Sequence, residues 1–187
     1  LDEVWVVAPD RDQSGVSQSV TLQRPLRIDQ VSERVYTVDG TPTDCVNLAI
    51  NGILPERPRM VIAGINHGAN LGDDVTYSGT VSAAMEGTLL GVPSVAVSQV
   101  FRSSASPDFA VAARFARTLV SRLLEKPLPP DTLLNVNVPH RPAEEIRGYA
   151  LTRQGKRRYG DAVVEKVDPR GRKYYWIAGD PLDFVDA

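Results

Sequence analysis

Four short apolar runs constrain this chain more than any other feature: Val4–Ala8, Met60–Ala63, Ser94–Val97 and Leu133–Val136. Each is continuous rather than alternating. Strands buried on both faces have this pattern, and they belong mainly to parallel sheets covered by helices. The stretches between them read as helical. Pro42 to Ile53 has Thr41 or Thr43 as its N-cap and carries Val46, Ala49, Ile50 and Ile53 at helical spacing. Val81 to Leu90 stops at Gly91, with Pro93 just beyond. Asp108 to Glu125 is the clearest amphipathic helix, with Phe109, Ala112, Phe115, Leu119 and Leu123 on its apolar side. Strands alternating with helices imply a doubly wound α/β fold with a mostly parallel, Rossmann-like sheet.

Two regions depart from that rhythm. Within Gln13–Asp39, the runs Thr21-Leu22 and Leu26–Ile28, followed by Val35–Val38, suggest a small hairpin inserted on the sheet. From Ile146 the chain becomes richer in charge and aromatics, including Tyr174, Tyr175 and Trp176, and has a turn signal at Asp168-Pro169-Arg170-Gly171. The expected division is an α/β core over 1–145 and an extended, strand-rich arm over 146–187. Leu1 opens almost directly into a strand and Ala187 follows no terminating element, so both ends read as cut.

A net charge of −2 gives no basic excess, so no stable nucleic-acid complex is expected. No apolar run nears the roughly 20 residues of a membrane helix. The one cysteine, Cys45, cannot form an internal disulfide, which makes a reducing, cytoplasmic location the expectation.

Ligands of doubly wound folds bind beyond the carboxyl ends of strands, which directs attention to the segments after Ala8, Ala63 and Val97. Ala8–Gly15 offers Asp10, Asp12 and Ser14 as hard oxygen ligands, although the same residues make an ordinary polar turn. Ala63–Asp74 holds three glycines with Asn66 and Asn70, whose amides can ligate a metal or bind a phosphate oxygen. It is neither a Rossmann fingerprint nor a P-loop. Tyr77–Gly87 leads small hydroxyl residues straight into a helix, whose first turn has free N–H groups and a positive dipole end. A plain Ser/Thr cap explains it equally well in isolation; after an Asn/Gly loop at a strand end it becomes a phosphate pocket. Asp73-Asp74 are weak metal candidates, and His67 and His140 give no zinc spacing. His67 is either a general acid or a solvated loop residue. Cys45 is expected to be a buried, inert thiol.

Ala8-Pro9-Asp10-Arg11-Asp12-Gln13-Ser14-Gly15, Gly40-Thr41-Pro42-Thr43-Asp44-Cys45-Val46, Gly64-Ile65-Asn66-His67-Gly68-Ala69-Asn70-Leu71-Gly72 and Tyr77–Gly87, in this order and spacing, closely resemble the SurE family of stationary-phase survival proteins. The resemblance implies a phosphomonoesterase that hydrolyses nucleoside 5′- and 3′-monophosphates with a divalent cation, Mg²⁺ or Mn²⁺. It implies a homodimer or homotetramer built partly through the C-terminal arm. It places Ser14 and Asn66 among the metal ligands, and Asn70, Ser78, Gly79 and Thr80 around the substrate phosphate. The family's metal-binding Asp pair falls before Leu1, so no residue here is assigned a catalytic role, and the chain alone is expected to bind phosphate weakly without hydrolysing it. The rival expectation is a non-catalytic nucleotide- or phosphate-binding oligomeric module.

Overall fold

In the computed structural model, Ser94–Gln99 is buried at every position. A strand with no solvent face needs a neighbour on each edge and a layer on each side. Both edges are filled in parallel, giving the order β4–β5–β6 for Val61–His67, Ser94–Gln99 and Leu133–Val138. Side chains alternate across the pleat. Ala96 therefore joins Ala63, Val81, Ala83 and Ala84 under α2 (Gly79–Leu89). Val95 and Val97 join Ala112, Leu123 and Val138 under α3 (Ala110–Glu125). Alanines on one side and larger apolar groups on the other give a doubly wound α/β core.

The structure describes residues 3–101, 108–159, 163–177 and 181–185. A second sheet has the order β1–β3–β2, from Val6–Pro9, Ile28–Ser32 and Val35–Val38. β1 runs parallel to β3, and β2–β3 is an antiparallel hairpin. Its first strand starts at Ile28, later than the Thr21-Leu22 expected from the sequence. The Thr21 N–H and hydroxyl are instead committed to the Asp44 carboxylate, at 2.9 and 2.7 Å, and Pro25 has no N–H to offer a ladder.

The helix expected over Pro42–Ile53 is α-helical only to Leu48 (α1) and ends in a π-turn over Ala49–Ile53, closed by Leu54 N–H on Ala49 C=O at 3.0 Å. Asn51 and Gly52 are weak helix formers at that end. β4 continues past Ala63 to His67, with an irregular step between Ala63 and Asn66. Gly64 makes the step possible: its φ is +121°, and a Cβ there would lie 2.2 Å from the Val97 carbonyl oxygen.

Contacts group the chain into two compact units, Leu1–Asn70 with Val75–Tyr149, and Leu71–Asp74 with Ala150–Ala187. The second contains two antiparallel pairs, β7 (Lys156–Tyr159) with β10 (Pro181–Val185) and β8 (Val163–Val167) with β9 (Lys173–Ile177). Asp73 and Asp74 fall in a 3₁₀ turn, Gly72–Thr76. Among the described residues no helix is long and apolar enough to cross a membrane.

Candidate functional site

Four chain segments converge on one cleft of ≈ 310 Å³: the loop after β1, the start of α1 at Pro42, the end of β4 with the turn beyond it, and the start of α2. Ser14, Asn66, Asn70, Ser78, Gly79 and Thr80 all line it, together with Arg11, Asp12 and His67. The residues singled out in the sequence, drawn from three separate motifs, are thus brought together in space.

The start of α2 forms one wall. Ser78 is its N-cap, and its Oγ accepts from the Val81 N–H at 3.2 Å. A hydroxyl acting as acceptor keeps its proton for another partner. The Gly79 and Thr80 N–H groups belong to the first turn, where no preceding helical carbonyl exists to receive them. Gly79 is required there because a Cβ would come within 2.9 Å of Pro42 Cγ, at the start of α1. This packing brings the two helix starts together at the cleft.

Asn66 sits opposite. Its Nδ2 donates to the Gly68 carbonyl at 3.0 Å, and its Oδ1 accepts from the Thr80 hydroxyl at 3.3 Å. These bonds orient the amide with its oxygen toward Thr80. In the β1 loop, the Ser14 N–H and hydroxyl both donate to Asp12 Oδ1, at 2.8 and 2.6 Å. The Ser14 hydroxyl, then its N–H, hold the Asp12 carboxyl below the usual carboxylate range. Ser14 Oγ, with its proton given to Asp12, keeps its lone pairs for a cation. Arg11 is held against Asp10 by two bonds of 2.8 and 3.1 Å.

Asn70 is the most enclosed of these polar groups, at 7% exposure. Its Nδ2 donates to Ser98 Oγ at 2.7 Å. Its backbone is tied to Asn135 and Asn137 on β6. Sequence reasoning missed both asparagines, having read Leu133–Val136 only as an apolar strand. The available signal was Asn135-Val136-Asn137, two amides on one face of a strand end.

His67 lies with its ring stacked on Phe101, centroids 4.3 Å apart and planes 8° apart, and His140 meets the same Phe101 edge-on at 5.0 Å. The two histidines, distant in sequence, share one aromatic neighbour. Among the described residues no three His, Cys, Asp or Glu side chains cluster as metal ligands. Cys45 is 2% exposed, and burial pushes its thiol up to about 12, as expected of an inert group.

The family model described as survival protein SurE matches residues 1–161. A protein of Myxococcus xanthus named 5′-nucleotidase SurE is 59% identical over all of this chain and 70% of its own length. Its namesake from Geotalea daltonii is 56% identical over 100% of this chain and 75% of its own length. The crystal structure of the SurE protein from Aquifex aeolicus superposes with a TM-score of 0.79 at 48% identity, covering 94% of this chain and 71% of that one.

Proposed function

This chain belongs to the SurE survival-protein family, and from that membership we propose that it is a 5′-nucleotidase, hydrolysing nucleoside 5′-monophosphates, and 3′-monophosphates as well, to nucleoside and phosphate. One observation carries the reading: Thr80 Oγ1 meets Asn66 Oδ1 at 3.3 Å, so a helix-start anion site and a strand-end oxygen ligand share one cleft. Phosphoryl transfer needs positioning and charge stabilisation more than covalent chemistry from the protein. The Gly79 and Thr80 N–H groups, the Ser78 hydroxyl and the Asn70 amide are placed to hold the phosphoryl oxygens. The positive end of α2 favours the charge that collects there. Water attacks phosphorus, the ester bond breaks, and the oxygen leaves as a nucleoside hydroxyl.

The donors fit a hard divalent cation, Mg²⁺ or Mn²⁺. Ser14 Oγ and Asn66 Oδ1 are oxygen ligands held by fixed partners. Bound there, such a cation supplies Lewis-acid polarisation and a more acidic water. Two neutral oxygens do not balance its charge; the Asp pair implied by the family resemblance, upstream of Leu1, belongs to the same proposal.

The apolar side chains of β9 support a homodimer or homotetramer formed through the 146–187 arm, and the single thiol supports a cytoplasmic location. The test is hydrolysis of 5′-AMP, 3′-AMP and p-nitrophenyl phosphate by the full-length protein, with and without EDTA. Turnover abolished by chelation and restored by Mg²⁺ or Mn²⁺ is expected. Turnover insensitive to EDTA would contradict the metal mechanism, and nucleotide binding without turnover would leave a binding module in its place.

A further inference from the structure

We propose that Asn135 and Asn137 are positioning residues, whose task is to set Asn70 in the geometry it needs to hold the phosphoryl group; the proposal rests on the phosphatase reading of the cleft. Asn70 lies beyond the end of β4, in a glycine-bearing turn that by itself leaves the backbone free to drift. Side chains prevent this. Asn137 grips the Asn70 peptide groups at two points: the Asn70 N–H donates to Asn137 Oδ1 at 2.8 Å, and Asn137 Nδ2 donates to the Asn70 carbonyl at 3.0 Å. Asn135 Nδ2 donates to the same carbonyl at 2.9 Å. The two asparagines stand two residues apart on β6, on one face. Ser98 is paired with Asn137 in the β5–β6 register, and it receives the Asn70 side chain at 2.7 Å.

Asn70 lines the cleft; Asn135, Asn137 and Ser98 do not. Once these bonds are made, Asn70 keeps one side-chain N–H and its Oδ1 for a ligand. The N–H suits a phosphoryl oxygen, and the Oδ1 suits the proton of a water. Reacting groups displaced by about 1 Å lose on the order of 10²-fold in rate, so a residue fixed in advance by a neighbouring strand end is worth more than the same residue on a mobile turn. Satisfying the buried Asn70 N–H and C=O accounts for two of these bonds; the second donor on the carbonyl and the Ser98 bond to the side chain go beyond that and fix the orientation of the residue.

The experiment is a double-mutant cycle in the full-length protein: wild type, N137D, N70A and the double variant, with N135A as a milder second probe. Asn137→Asp keeps an acceptor for the Asn70 N–H and sets a carboxylate against its carbonyl. Each protein is assayed for kcat/KM on 5′-AMP, for the Kd of inorganic phosphate by calorimetry, and for thermal midpoint. Expected is a loss of about 10- to 100-fold in kcat/KM for N137D in the wild-type background, under twofold in the N70A background, and the same midpoint shift in both. N135A should follow with a smaller loss. Equal losses in both backgrounds, or no loss in either, would overturn the proposal. If the wild type does not hydrolyse 5′-AMP, the functional reading fails, and the phosphate-affinity cycle still decides whether Asn137 acts through Asn70.

Discussion

Asn66 divides its amide between the Gly68 carbonyl and the Thr80 hydroxyl. Replacing it removes an oxygen from the cation side and a partner from the phosphate side. Asn66→Ala is therefore expected to lower metal-dependent turnover by about 10²-fold or more and to raise the cation concentration needed for half activity; a metal titration of activity reads both. Thr80→Val keeps shape and removes the hydroxyl. It should raise the Kd for inorganic phosphate more than the Kd for the cation, and the reverse order would count against the pocket. Cys45 makes a different prediction. Its folded thiol is raised from an ordinary 9.0 to about 12, so above pH 9.0 the unfolded chain releases a proton that the folded chain retains. Stability is intact below that pH and falls as pH climbs toward about 12. Denaturant melts of wild type and C45A across this range should show a steeper decline for wild type, and iodoacetamide should leave the native thiol unlabelled.

At the scale of elements, α1 rests on Asp44. Thr41 and Asp44 form a reciprocal capping box, and the same carboxylate accepts from the Thr21 N–H and hydroxyl. Burial pushes the Asp44 carboxyl up, but the bonds from Thr21 and Thr41 together outweigh it and leave it lowered from 3.8. A lowered folded value means stability present above 3.8 and lost as pH falls below it. Asp44→Asn should therefore reduce stability at neutral pH and flatten the acid limb of a stability–pH profile. Thr41→Ala removes one arm of the box and should cost about 1 kcal/mol in a urea melt. Gly64→Ala acts at the bend in β4, where the new methyl would meet the Val97 carbonyl at 2.2 Å with φ at +121°. It is expected to destabilise by about 3 kcal/mol or more, with phosphate affinity falling as Asn66 shifts.

For the whole molecule, the β8–β9 hairpin exposes apolar side chains on both of its faces, more than a two-stranded ribbon on its own has reason to display. Trp176 is 60% and Ile177 88% exposed, with Tyr174, Tyr175 and Val163 exposed beside them. Sedimentation of the full-length protein should show a dimer or larger assembly, and W176S/I177S should shift it to smaller species. An unchanged assembly in that variant would place the contact elsewhere.

The local physics of the core was legible in the sequence. The continuous apolar runs announced β1, β4, β5 and β6, and the periodicity of 108–125 announced α3, but burial at every position holds for β5 alone, and β1 pairs in the second sheet with part of its surface exposed. The motif residues Ser14, Asn66, Asn70 and Ser78–Thr80 stood out by type and by their place beside strand ends. What no spacing could state is which distant residues meet. Asn135 and Asn137 are separated from Asn70 by more than sixty residues, the bend at Gly64 exists only against Val97, and both histidines meet through Phe101. Register between strands is decided by the packing of two helical layers on one sheet. That packing is a property of the folded chain, so the contact of the β6 amides with Asn70 became visible only there.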